Sequence, residues 1–331
     1  MSPHVIIDKY NLTISLLITI AWQLTGFAVA WTLQFDKITD FTGGSNFFIL
    51  ALITLTTGGT YHARNIVASV LIMLWSARLA GFLLFRVLKT GSDTRFDEMR
   101  SHFFKFAGFW GFQIIWVWTV SLPTVILNSP AVSDLNRGGG NPSFGTGRDI
   151  AGIILFAIGL SWEALGDIQK YLYKSSKPPK GQPCTKGLWY FSRHPPYFGE
   201  IVLHWGIWIL CLSPTTNGHI SSGAKRAQYA AIVAPLLTMV LLLFLSGLPT
   251  AEKPTAKKYY LLSHSSSPSD PNAWDNYKRY LNRTSILIPF PPAIYVRLPE
   301  IIKRTILLDF PMYRFDEGKD GREALAEEAR K

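Results

Sequence analysis

The chain has 331 residues, of which 48% are hydrophobic, 14% aromatic and 17% charged. So low a charge fraction, well under the quarter typical of soluble domains, excludes a disordered or collagen-like chain. Two cysteines, Cys184 and Cys211, are too few for a disulfide framework or a thiolate metal cage. A net charge of +11 permits a nucleic-acid, membrane-surface or phosphorylated partner. Position decides among them: 14 of the 33 Lys and Arg follow residue 248, and six more (Lys170, Lys174, Lys177, Lys180, Lys186, Arg193) lie between two apolar blocks. Charge that borders apolar blocks favours the lipid bilayer as partner and argues against nucleic acid.

A helix needs about 20 residues to cross the hydrocarbon core, because in lipid each backbone polar group must be satisfied within its own segment. Seven stretches are candidates. Asn11 to Leu33, Arg64 to Leu88, Phe109 to Leu127 and Tyr229 to Leu248 are long enough, while Asn46 to Gly59, Ile150 to Leu165 and Gly199 to Leu212 are short and would be tilted, re-entrant or packed inside the bundle. Ala28-Val29-Ala30 imitates a signal-peptidase site, but the preceding apolar run is long, is interrupted by Gln23 and follows a single Lys, so the expectation is a retained first helix. The fold expected is all-α, a polytopic membrane bundle of about seven transmembrane helices. The basic loops at 89–108 and 168–198 and the basic tail are expected on the cytosolic side by the positive-inside rule.

After Pro249 the composition turns to Lys, Ser and Pro. Ser263 to Pro271 (SHSSSPSDP) reads as an exposed insertion with turn chemistry, and Ser285 to Pro299 holds too many prolines to span and is expected along the interface. Arg322 to Lys331 reads as a charged helix or a disordered tail. The organisation expected is N-terminal transmembrane helices at 1–63, a membrane domain at 64–292 with its pocket within 167–292, and a polar tail at 293–331.

The densest chemistry lies between Asp167 and Glu200. Lys170 and Lys174, four apart, present two cationic donors on one helix face, which suits a phosphate but also suits a helix end meeting lipid headgroups. Trp189, Arg193, His194, Tyr197 and Glu200 converge where the chain re-enters the bilayer. Pro195-Pro196 starts a helix there, and an Arg-His pair at a helix N-terminus attracts anions. An interfacial aromatic belt with a helix-dipole charge explains the same residues. Arg78 and Glu163 stand inside apolar segments and pair or line a polar cavity. Asp93, Arg95, Asp97 and Arg100 read as a self-paired cap, and Trp75, Trp110, Trp116 and Trp118 as bundle packing rather than an apolar pocket. The histidines are scattered without ligand spacing, so no metal is expected, and neither a P-loop nor a GxGxxG occurs.

Gly187 to Glu200, GLWYFSRHPPYFGE, resembles the GLW-x3-RHPNYxGE signature of the membrane family of steroid 5-alpha-reductases, sterol reductases and uncharacterised homologues. Gln169-Lys170-x3-Lys174 resembles that family's phosphate clamp, and Arg86 with Gly91-x-Asp93-x-Arg95-Phe96-Asp97 resembles its uncharacterised branch. Pro249-x2-Glu252-Lys253, Trp274-x2-Tyr277-Lys278 and Arg283-Thr284-Ser285 up to Ile288-Pro289 resemble its closing motif, so the likeness covers about 64–292. The resemblance implies an endoplasmic-reticulum-type reductase that holds NADPH and passes a hydride to an electron-poor C=C of an apolar substrate. Carried over, Lys170 and Lys174 contact phosphates, Asp167 the ribose or adenine side, and Arg193, His194, Tyr197 and Glu200 the pyrophosphate and nicotinamide end, with Trp189, Trp274 and Tyr277 as walls. Pro196 stands where the family has Asn, and no acid occurs in the first two predicted segments, so the proton donor is unassigned. A related RHPxYxG turn occurs in isoprenylcysteine and phospholipid methyltransferases, which makes an S-adenosylmethionine-dependent enzyme the second expectation and a non-catalytic scaffold the third.

Overall fold

The computed structural model describes residues 7–35, 38–90, 101–217 and 219–330, and among them it is all helical, with one isolated parallel bridge, Ser192 to Ser285. The helices of eight or more residues are α1 Leu12–Thr32, α2 Thr39–Gly58, α3 Ala63–Thr90, α4 Phe103–Leu127, α5 Gly147–Ser175, α6 Pro195–Cys211, α7 Ser222–Ala230, α8 Val233–Val240, α9 Leu248–His264 and α10 Ala273–Arg283. Among the described residues, six segments are long and apolar enough to cross a membrane: Leu12–Thr32, Thr39–Gly58, Ala63–Lys89, Phe103–Ser133, Gly147–Ser175 and Ser222–His264. The chain is a polytopic helical membrane protein. The expected segment at Gly199 to Leu212, already read as short, is the 17-residue α6 and is not among these six. The predicted loop cap at Asp93, Arg95, Asp97 and Arg100 lies outside the described residues.

One of the short stretches lengthens for an identifiable reason. The polar start of α2, Thr39 to Asn46, is helical because its small and amide residues are buried against other helices rather than exposed to lipid. That extension brings Asp40 into the first turn, 4.0 Å from Arg86, so an acid does stand in the second helix. The first helix starts where Asp8 accepts hydrogen bonds from the backbone N–H groups of Tyr10, Leu12 and Thr13, which have no partner inside the helix.

The chain forms two compact units. One comprises 1–156 and 204–237; the other comprises 157–203 and 238–331. In the first, Trp75 is buried edge-on to Phe47 and His204, and Trp118 donates to the Leu12 carbonyl, which is the packing role expected of these tryptophans. Gln23 donates to Asn46 across the α1–α2 contact, and Arg64 grips Asp149 with two 2.7 Å bonds. Arg78 lies over the Phe82 ring.

The second unit is organised by the contact of α5 with α6. A Cβ added at Gly159 would lie 2.5 Å from the Gly199 carbonyl oxygen, and one added at Gly199 would lie 2.5 Å from that of Gly159. Such backbone-to-backbone approach through small residues is how helices associate in lipid, where burial of apolar surface supplies no drive. Gly166 repeats it one step further, against the ring of Pro196. In the first unit Gly152 and Gly206 make the same approach.

Replacing Gly159 or Gly199 by Val forces the helices apart, and overpacking of this kind costs about 1–3 kcal/mol. Thermal unfolding of the detergent-solubilised protein should show a clear loss of melting temperature for either variant. Gly108→Ala, where an added Cβ meets nothing within 4 Å, should melt with the wild type.

Candidate functional site

The turn at Gly187 to Pro196 is built by local constraints. Gly187 has φ +61 and ψ −128, and a side chain there would collide with Gln169, whose Oε1 accepts from the Leu188 N–H at 2.8 Å. A single helical turn, Leu188–Phe191, follows, and Trp189 is fixed by its indole N–H on the Gly166 carbonyl. The chain then lies beside 285–290: the Arg193 N–H donates to Ser285, the Ser192 hydroxyl to the Leu287 carbonyl, and the Phe290 N–H to Phe191. Pro195 opens α6, as the sequence predicts.

This fixing delivers Arg193 into the interior. Its side chain is 5% exposed, with Nη1 2.7 Å from Glu252 Oε2 and Nη2 3.1 Å from Asp309 Oδ1. His194 Nε2 lies 2.6 Å from the other Glu252 oxygen, and its ring stacks on Tyr197 at 5.1 Å. The Tyr295 hydroxyl donates to Asp309 Oδ2 at 2.7 Å. Burial lowers the guanidinium's proton affinity, but Glu252 and then Asp309 outweigh it, so Arg193 is held charged, well above its ordinary range. Burial, then the adjoining Asp309, raises the Tyr295 phenol, which keeps the proton it donates.

Glu252 arrives by a backbone device. The residues Leu241–Leu245 form a π-turn between α8 and α9, and the Tyr313 hydroxyl donates to the Leu243 carbonyl at 2.6 Å. Burial, then Asp309 and Glu252, pushes the Tyr313 phenol up to about 12.

A cavity of about 230 Å³ opens beside Arg193, walled by Glu252, Trp274, Tyr295, Asp309 and Tyr313. Its wall carries Arg193, Lys278, Lys303 and Arg314 against Glu252, Glu300, Asp309 and Glu317, so the charges match. Three donors there have no hydrogen-bond partner among the described residues: Arg193 Nε, Arg193 Nη2, which meets Asp309 only as an ion pair, and the indole N–H of Trp274, which is 3% exposed. Buried donors left unmade are costly, and they mark where an acceptor belongs.

Of the residues singled out in the sequence, Arg193 and Trp274 line the cavity, His194 and Tyr197 support Glu252, and Tyr277 is buried, stacked on Tyr259 at 4.3 Å. Lys170 sits elsewhere, its ammonium 4.0 Å over the Trp189 ring, and Lys174 is exposed on the same helix. Asp167 and Glu200 are partly buried on α5 and α6. The sequence reading missed Glu252 as a site residue, although a lone acid just past an apolar run needs a cation. It also missed Tyr295, Asp309 and Tyr313, which come from the stretch read as a polar tail. The signal was Asp309 within ILLDFP, a carboxylate isolated among apolar residues.

Arg193→Met leaves Glu252 and Asp309 buried without their cation, and breaking a buried pair in this way costs about 3–5 kcal/mol. Its melting temperature should fall far more than that of Glu252→Gln, which keeps an acceptor for both Arg193 and His194. Because Tyr313 holds its proton more tightly folded than unfolded, its contribution is complete below about pH 10 and fades as pH rises through about 12. Alkaline melts of Tyr313→Phe should therefore start lower than wild type and depend less on pH in that window.

No curated protein and no solved structure matches the chain. One family model does, described as protein of unknown function (DUF1295), and it matches residues 26–264, which include Arg193, His194 and Glu252. The chain therefore belongs to the DUF1295 family.

Proposed function

We propose that the protein is a membrane-embedded, NADPH-dependent reductase of a C=C bond in an apolar lipid or sterol-like enone. The observation that carries this reading is a cavity beside Glu252 whose wall includes Arg193 and Trp274, each with a buried donor that has no hydrogen-bond partner among the described residues. NADPH fits that donor set because its carboxamide, ribose and phosphate oxygens are acceptors. At about 230 Å³ the cavity is smaller than the hollows that hold whole drug-sized ligands, so it suits one end of the dinucleotide. When bound, NADPH supplies a hydride.

The chain's own residues do the rest. Arg193 and Trp274 donate to acceptor oxygens, and Glu252 with Asp309 keeps the guanidinium from swinging away. His194 is held by Glu252 and Tyr197 in one orientation at the start of α6. Lys170 and Lys174 are the residues for phosphate, and Trp189 holds the first of them in place. The apolar substrate reaches the site from the bilayer, the compartment is the endoplasmic reticulum, and the loop at 168–198 faces the cytosol with the C-terminal segment.

The equal numbers of cations and carboxylates around the cavity favour a second reading, an S-adenosylmethionine-dependent methyltransferase, since the amino-acid end of that cofactor carries one charge of each sign. One experiment separates the two. Thermal melts of the purified protein with NADPH, NADH and S-adenosylmethionine should show a rise of several degrees with NADPH, much less with NADH, and none with S-adenosylmethionine. Arg193→Lys, which lacks the Nε donor, should lose most of that rise. A rise with S-adenosylmethionine alone would overturn the reductase reading in favour of the methyltransferase, and no rise with any of the three would leave a scaffold.

A further inference from the structure

Helix α10 separates two hollows of opposite character. Trp274, Lys278, Leu281 and Asn282 face the charge-matched cavity beside Arg193. Asn276, Arg279, Tyr280 and Arg283 face a second groove of about 440 Å³, completed by Thr185 and Tyr190 of the preceding loop. Among the described residues its wall holds two arginines and no carboxylate. Arg279 and Arg283 are four apart, one helical turn, so their guanidinium forks can both reach a single anion. Both are exposed, and Arg279 is steadied by a 2.6 Å bond to Asn276 Oδ1.

Exposed apolar residues lie next in the chain to the groove residues Tyr190 and Pro292. Tyr190 is 40% and Phe191 38% exposed, and Phe191 accepts the backbone bond of Phe290 just before the groove residue Pro292. The turn that begins at Pro292 carries Ile294, 51% exposed, and leads to Val296, 52% exposed. Amphipathic rings and bare β-branched side chains beside cations are the chemistry of a membrane interface, where anionic headgroups attract arginine and acyl chains cover the isoleucine.

We propose that the groove between α10 and the 182–190 loop binds the phosphate of an anionic phospholipid, with Arg279 and Arg283 on the headgroup and Ile294 and Val296 against its acyl chain. The site is separate from the Arg193 cavity and does not depend on which reaction that cavity serves.

The test uses the full chain in a neutral detergent, with added phosphatidic acid, phosphatidylserine or phosphatidylcholine of equal chain length, and inorganic phosphate as the soluble comparison. The two anionic lipids should raise the melting temperature by several degrees where phosphatidylcholine does not. R279Q/R283Q, both exposed positions, should need roughly tenfold more anionic lipid for the same rise, the loss of about 1.4 kcal/mol. I294S/V296S should weaken the lipid effect as well. The proposal is overturned if phosphatidylcholine acts equally, if R279Q/R283Q responds as wild type does, or if inorganic phosphate matches the lipids while I294S/V296S changes nothing, which would make the groove a soluble-anion site.

Discussion

The second unit depends on one buried cation. A guanidinium taken out of water is tolerated only when charge and hydrogen bonds replace its hydration, and Arg193 receives charge from Glu252 and Asp309 and a hydrogen bond to Glu252. The three residues come from parts of the chain far apart in sequence: the turn before α6, the second turn of α9, and the stretch beyond α10. Because none can be moved without stranding the others, the ion triad fixes where these segments meet. The neighbouring features follow from it. Tyr295 satisfies the second oxygen of Asp309, His194 the second oxygen of Glu252, and Arg193, Glu252 and Asp309 all line the cavity.

Much of the fold could be read from the sequence, because lipid imposes a length and a composition on any helix that crosses it. The long apolar blocks became spanning helices almost where periodicity and length placed them. The shortfall was at helix ends: residues 39–45 lay outside the predicted segment, yet Thr39, Thr42, Gly43 and Gly44 are buried, and only tertiary packing reveals that. α6, expected to be short, is a helix of 17 residues that starts at Pro195, four residues before the apolar stretch.

The site was legible in part, and along a clear line. Residues adjacent in sequence, Arg193, His194 and Tyr197, were found because a helix start brings them together locally. Their partners were not, since no spacing rule links Arg193 to an acid 59 or 116 positions away. Lys170 shows the converse. Spacing puts Lys170 and Lys174 on one helix face, but that the first lies against an indole face while the second is exposed is a difference that helix geometry alone does not encode. Charge count was likewise blind to distribution: the same basic helix, α10, borders one hollow in which every cation is answered and another in which none is.

The glycines of α5 and α6 carry a mechanical consequence. Gly152, Gly159 and Gly166 recur every seven residues, and Gly199 and Gly206 repeat that interval on the opposing helix, so the two rods mesh like a rack with widely spaced teeth. Sliding to the next matching notch means travelling about 10 Å along the axis, seven residues at 1.5 Å each. Intermediate offsets jam a side chain into bare backbone. Small creeping adjustments between these helices are thereby opposed, and the start of α6, next to Arg193 and His194, is held in register with α5.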